Sequence, residues 1–203
     1  MKAGIDKRFE ELLIAYSRQG ESGPRARIEA EIWQRFGAEL SVLVVDMSGF
    51  SMLAQRHGIV HYLSMIRRMQ LTALPIVESH QGRVVKFEAD NCYAVFPDPA
   101  QAARAAIALN LAFTASNILT EDTLDIRVAC GIDHGRVLLL GDDDLYGHAV
   151  NRASKLGEDV AEPGEILITA EAMERIPPAA GISGRAMELA ISGIALAAFA
   201  IRY

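Results

Sequence analysis

Two aspartates are the residues best suited to chemistry, and each follows an apolar, strand-like run. Ser41-Val42-Leu43-Val44-Val45 ends on Asp46 and turns through Met47-Ser48-Gly49-Phe50-Ser51. Arg83-Val84-Val85-Lys86-Phe87-Glu88 leads into Ala89-Asp90-Asn91 and out through Cys92-Tyr93-Ala94-Val95-Phe96. Strand ends are rigid and can aim acidic side chains at a shared point. Two carboxylates plus phosphate oxygens are the usual way to hold Mg²⁺, which keeps few protein ligands and draws the rest from substrate. In such sites two ions ~3.5–4 Å apart activate an attacking oxygen and stabilise a leaving one. Gly49 fits this picture, because a missing side chain lets a phosphate reach backbone N–H groups. One aspartate after an apolar strand is commonplace; two on separate strands make a pattern.

The elements that must position these acids are legible from periodicity. Residues 5–19 place Phe9, Leu12, Leu13 and Tyr16 at helical spacing, and Gly20-Glu21-Ser22-Gly23-Pro24 breaks that helix. A second helix is expected over 25–36, with Ile28, Ile32, Trp33 and Phe36 on one face and Gly37 as C-cap. This extension, residues 1–38, stands apart from a main domain of residues 39–203. Three roles are open to it: docking on the domain, pairing with a second chain, or relaying a signal.

Within the main domain, 57–80 has a helical pattern that Pro75 is expected to kink or restart. Asp98 and Pro99 open an Ala-rich helix as N-cap and first residue. Residues 124–132 alternate as a strand, Gly131-Ile132-Asp133-His134-Gly135 reads as a turn, and 136–140 as another strand. A loop over 141–147 precedes a helix over 148–159, then a strand over 165–169. The tail reads as two strands around Ser192-Gly193. The order β-α-β-β-α-β with extra C-terminal strands resembles the ferredoxin-like α+β sandwich, one sheet covered by helices.

Composition bounds the function. The net charge of −6 argues against a nonspecific binder of nucleic acid or membrane surface, while leaving nucleotide binding open. Both cysteines, Cys92 and Cys130, sit in apolar runs and read as buried free thiols of a reducing compartment. Residues 1–6 lack the apolar core of a secretory signal. The apolar tail is interrupted by Glu188 and Ser192, short of the ~20 residues that span a bilayer. The expectation is a cytoplasmic protein with neither membrane nor nucleic acid as partner.

Three motifs together carry a specific resemblance. Asp46-Met47-Ser48-Gly49-Phe50-Ser51, Lys86 four residues before Asp90, and Tyr146-Gly147-His148-Ala149-Val150-Asn151 resemble class III nucleotidyl cyclases, the adenylate and guanylate cyclases. The likeness covers about residues 41–203, including Gly131 to Gly135 and Glu162-Pro163-Gly164-Glu165-Ile166-Leu167.

The resemblance implies an adenylate cyclase acting on ATP with two Mg²⁺ or Mn²⁺ ions per site. Asp46 and Asp90 match the metal-binding aspartates, with the Met47 carbonyl as a further ligand, and Gly49 and Phe50 match substrate-binding positions. Lys86 and Asp144 match the pair that reads adenine. Guanine carries a carbonyl where adenine has its amine, and would meet Asp144 unpaired and repelled. Asn151 matches the asparagine that orients the ribose. In this family the site lies across a homodimer interface, one chain supplying Asp46 and Asp90 and the other Lys86, Asp144 and Asn151.

This sequence also departs from the family. Lys155 stands where a transition-state arginine is expected, keeping the charge without the planar fork. Arg152 is a conceivable substitute whose helical position points elsewhere. Ser192 replaces a phosphate-binding lysine, Ala89 a frequent glycine, and Glu88 is unusual. A rival reading is therefore a cyclase-like nucleotide-binding regulatory module with little or no catalysis. A diguanylate-cyclase-like or polymerase-like enzyme lacks support, because Glu88-Ala89-Asp90-Asn91 occupies the hairpin where its signature would stand. His134 and His148 lie near the expected site without zinc spacing, so surface or packing roles are expected.

Overall fold

Four consecutive apolar side chains, Val42 to Val45, are wholly buried, as a strand covered on both faces requires. They belong to β1 (Gly37–Met47), the strand around which a computed structural model describing residues 6–20, 22–47, 56–141, 143–191 and 194–203 is built. Around it lie β2 (Arg83–Glu88), β3 (Asn91–Phe96), β4 (Val128–Leu140), β5 (Asp144–Tyr146), β6 (Ile166–Thr169), β7 (Ser183–Ile191) and β8 (Ile194–Arg202). The eight-stranded sheet has the order β2-β3-β1-β4-β6-β8-β7, with β5 paired to β4. Among the described residues only the β4–β6 pairing is parallel. With α3 (Ile59–Ser79) after β1 and α4 (Pro99–Asn117) after β3, the expected βαββαβ order is present.

Alternation along β1 builds two cores. Leu43, Val45 and Met47 face α3 and α4, where they meet Met65, Met69, Leu109 and Phe113. Asp98 caps α4 as expected, accepting from the Gln101 amide at 3.0 Å. Val42 and Val44 face the opposite side, with Val137, Leu145 and residues of α5 (His148–Ser154). Cys92 and Cys130 are buried free thiols, and burial pushes each up to about 12.

The extension packs onto this frame. Asp6 caps α1 (Lys7–Arg18), accepting from the Arg8 and Phe9 amides at 2.8 and 3.2 Å. Arg8 joins Glu31 of α2 (Ser22–Phe36) at 2.7 Å. Phe9, Leu12 and Ile32 are buried with Leu140 at the far end of β4. Docking is thus the role visible within one chain.

Several local expectations are corrected. Residues 131–135 do not turn; they run straight through the middle of β4. Residues 124–127 precede that strand, where the Asn117 amide exchanges two 2.9 Å hydrogen bonds with the Ile126 backbone. Residues 144–146, expected in a loop, form β5. Pro75 leaves α3 unbroken, because it lies on the solvent face where water can satisfy the freed carbonyl. The helix expected over 148–159 is α-helical to Ser154 and then widens into a π-helical turn, Lys155–Val160.

Candidate active site

Asp46 is the penultimate residue of β1 and stands opposite Asn91 in the β1–β3 register. The Met47 amide donates to the Asp90 carbonyl at 3.3 Å, tying the end of β1 to the β2–β3 turn. The two acids are therefore neighbours at one end of the sheet. Burial pushes Asp46 up to about 6, and the negative charges of Asp90, Glu158 and Asp159 add to that rise. Asp90 is raised by burial. The Asn91 Oδ1, beside this pair, is buried with no hydrogen-bond partner among the described residues.

These features fit a hard divalent cation. Among the described residues every charged neighbour that shifts Asp46 is an anion, so a dication there would offset that repulsion. Among the described residues no group of three or more His, Cys, Asp or Glu is arranged around a metal position. Two carboxylates with main-chain, water and substrate oxygens remain sufficient for Mg²⁺. The Met47 side chain is buried in the core, so only its carbonyl is available to an ion. Gly49 and Phe50 lie outside the described residues, as does Ser192.

Lys86 and Asp144, distant in sequence, are brought together. Lys86 Nζ lies 3.1 Å from Asp144 Oδ1 and 2.7 Å from Glu88 Oε2. It also sits 4.8 Å from the centre of the Tyr93 ring. Register explains the grouping: Lys86 pairs with Tyr93 across β2–β3 after a shift in the ladder, while β5 returns Asp144 alongside β4. Burial pulls the Lys86 ammonium down, and the Glu88 and Asp144 carboxylates outweigh it, holding it above its ordinary value. Burial pushes Asp144 up, but donation from Tyr146, the Leu145 amide and Lys86 keeps it below the usual carboxylate value. A charged donor thus stands beside an acceptor that stays ionised. Sequence reasoning missed Tyr146 as a partner of Asp144, although a spacing of two along a strand puts both on one face.

Asn151 is exposed on α5. Lys155 is exposed and paired with Asp159 in the π turn. Arg152 points the other way, as its position suggested: it donates to the buried Asp133 at 2.6 Å and meets Glu171 at 2.6 Å. Thr169 donates to the other Asp133 oxygen at 2.5 Å. Arg152 is thereby held by Asp133 and Glu171. His134 is a packing residue, its Nδ1 2.8 Å from the Ser41 hydroxyl.

Comparisons with known proteins show what the chain is similar to. Over 129 residues the chain is 30% identical to "Putative adenylate cyclase 3" of Rhizobium meliloti (strain 1021), covering 64% of this chain and 22% of that protein. A mycobacterial relative, "Uncharacterized protein Rv2212" of Mycobacterium tuberculosis, is 29% identical over 65% of this chain and 33% of its own length. The chain thus spans a third or less of these curated relatives. Among solved structures, the adenylyl cyclase CyaB from P. aeruginosa superposes with a TM-score of 0.72 at 21% identity, over 82% of this chain and 95% of that one. The catalytic core of a rhodopsin-guanylyl cyclase with converted specificity, in complex with ATPalphaS, gives 0.70 at 18% identity, over 82% and 98%. At these identities the structures speak for the fold. The family model "Adenylate and Guanylate cyclase catalytic domain" matches residues 34–186, a stretch that holds both carboxylates, the Lys86–Asp144 pair and Asn151. The chain belongs to the adenylate and guanylate cyclase catalytic domain family.

Proposed function

We propose that this domain is an adenylate cyclase, converting ATP to 3′,5′-cyclic AMP and pyrophosphate as a homodimer. The observation that carries the choice of base is the 3.1 Å contact between Lys86 Nζ and Asp144 Oδ1. A cationic donor beside an ionised acceptor complements adenine's ring nitrogen and exocyclic amine, and opposes guanine's carbonyl.

Asp46, Asp90 and the Met47 carbonyl are the groups that would hold Mg²⁺ or Mn²⁺, two ions per site. Bound there, such ions lower the pKa of the ribose 3′-hydroxyl and neutralise charge on the phosphates. The chain's own residues do the rest. Lys86 and Asp144 orient the base, Asn151 orients the ribose, and Lys155 places positive charge near the phosphates. The attacking 3′-oxygen displaces pyrophosphate from the α-phosphorus while the hydroxyl proton passes to water, so no protein base is needed. Gly49 and Phe50 complete the substrate side in this reading.

A two-chain site is supported by the distribution of these groups on the sheet. Lys86 lies on β2 and Asp46 on β1, with β3 between them. The intervening strand carries Tyr93, whose hydroxyl donates to Glu158 at 3.0 Å and whose ring lies under Lys86. Tyr93 thus stands between the base-reading and metal-holding groups of one chain, as expected if each works with a partner's complement. We place the enzyme in the cytoplasm, where ATP is abundant and free thiols persist. Among the described residues no helix is long and apolar enough to cross a membrane.

The rival, a nucleotide-binding module without catalysis, draws on one observation: Lys155 is paired with Asp159. Product analysis decides between them. Purified protein is incubated separately with ATP and GTP, with Mg²⁺ and then Mn²⁺. Cyclic AMP from ATP, abolished in Asp90→Ala, is expected. Nucleotide binding without cyclic product from a dimeric protein would favour the module.

A further inference from the structure

Asp144 is oriented by more than Lys86. Its Oδ1 accepts from the Leu145 amide at 2.9 Å, and its Oδ2 accepts from the Tyr146 hydroxyl at 2.7 Å. Donors on opposite oxygens fix the rotation of the carboxylate, a torsion that is otherwise soft. The hydroxyl occupies one lone pair of Oδ2 and leaves the other for an incoming donor.

Tyr146 needs an anchor of its own, because its side chain is 43% exposed. The anchor is Phe9 of α1. The two rings lie nearly parallel, 9° apart with centroids 6.3 Å apart. Phe9 is only 5% exposed and meets Phe36 edge-on at 5.2 Å, within the cluster that docks α1 and α2 on β4. A continuous row of side chains therefore joins the N-terminal helix to Asp144.

We propose that Tyr146 is a specificity-positioning residue for the nucleotide base, and that Phe9 holds it in place, making α1 part of the base-selecting apparatus. This rests on the reading of Asp144 as the acceptor for the adenine amine. Selection against guanine requires an Asp144 oxygen to face the base in a fixed direction. It also requires that the Tyr146 hydroxyl remain turned toward Asp144, since a free hydroxyl could donate to the guanine carbonyl and rescue the wrong nucleotide. Stacking on Phe9 restrains the ring against that swing.

The test uses the full chain with Tyr146→Phe, Phe9→Leu and Asp144→Ala. Equilibrium binding is measured with 3′-deoxy-ATP and 3′-deoxy-GTP in Mg²⁺, since these lack the attacking hydroxyl and need no catalysis. The ratio of kcat/KM for ATP and GTP is measured in parallel, with melting temperature as a control on folding. Removing a hydrogen bond to a charged group should lower the ATP preference of Tyr146→Phe about tenfold. Phe9→Leu keeps an apolar side chain in the α1 cluster but removes the stacked ring, so a smaller loss in the same direction is expected. A preference unchanged in Tyr146→Phe but lost in Asp144→Ala would overturn the proposal and leave the base assignment standing. A preference unchanged in Asp144→Ala would overturn that assignment, and the proposal with it. A preference lost in Tyr146→Phe and kept in Phe9→Leu would overturn the part given to α1.

Discussion

Ala89 carries the left-handed turn between β2 and β3, with φ at 51°, one residue before Asp90. A β-carbon in that region costs about 1–2 kcal/mol, which glycine escapes. The glycine frequent in the family at this position thus has a conformational reason, and this chain bears the cost of departing from it. Ala89→Gly removes the strain but restores freedom to the unfolded chain, which offsets up to about 1 kcal/mol. The expected net is a stabilisation of less than about 1 kcal/mol, visible as a rise of about 1–3 °C in melting temperature. A fall in a thermal melt would mean that the turn is not strained at Ala89. Glu88, the neighbouring departure, also acquires a physical account: its carboxylate is 2.7 Å from Lys86 Nζ and shares that ammonium with Asp144.

Elements place these residues, and here sequence and structure part company most clearly at Gly131. A glycine within an apolar run reads as a turn, yet this one lies mid-strand, paired with Val44 across β1–β4. Its role is close approach: a Cβ there would sit 2.0 Å from the Ala153 carbonyl oxygen and 2.4 Å from the Gly157 nitrogen. The chain that crosses the sheet at this point carries Asn151 and Lys155, so the contact sets how near those residues lie to the strands. Local pattern cannot distinguish a glycine needed for its backbone angles from one needed for its missing side chain. By contrast, β1 and β3 were legible because burial on both faces writes an unbroken apolar run. The Lys86–Asp144 contact became legible only through the registry of several motifs. The π turn at Lys155–Val160 left no signal that periodicity could detect. Gly131→Ala should push α5 and the π turn off the sheet and cost about 1–3 kcal/mol of stability. The measurement is the midpoint of denaturant unfolding, and an unchanged midpoint would show that the crossing segment can shift at no cost.

At the scale of the whole molecule the question is whether one chain can form a complete site. The metal-holding pair and the base-reading pair occupy one sheet, and Tyr93, tied to Glu158, lies on the strand between them. A twofold, isologous pairing of two chains would bring the first pair of each against the second pair of the other, giving two equivalent sites. That arrangement makes a quantitative prediction which a single-chain site does not. Asp46→Asn removes the metal side only, and Lys86→Glu removes the base side only, so each variant alone should be inactive on ATP. In a mixed dimer one site carries both lesions and the other carries neither. With equal amounts and random exchange, half the dimers are mixed and half of their sites are intact, so activity should return to about a quarter of the unmodified protein's value. Cyclic AMP production by the mixture, against either variant alone at the same total concentration, provides the measurement. Sites confined to one chain would leave the mixture as inactive as its components, because every chain in it would still carry a lesion.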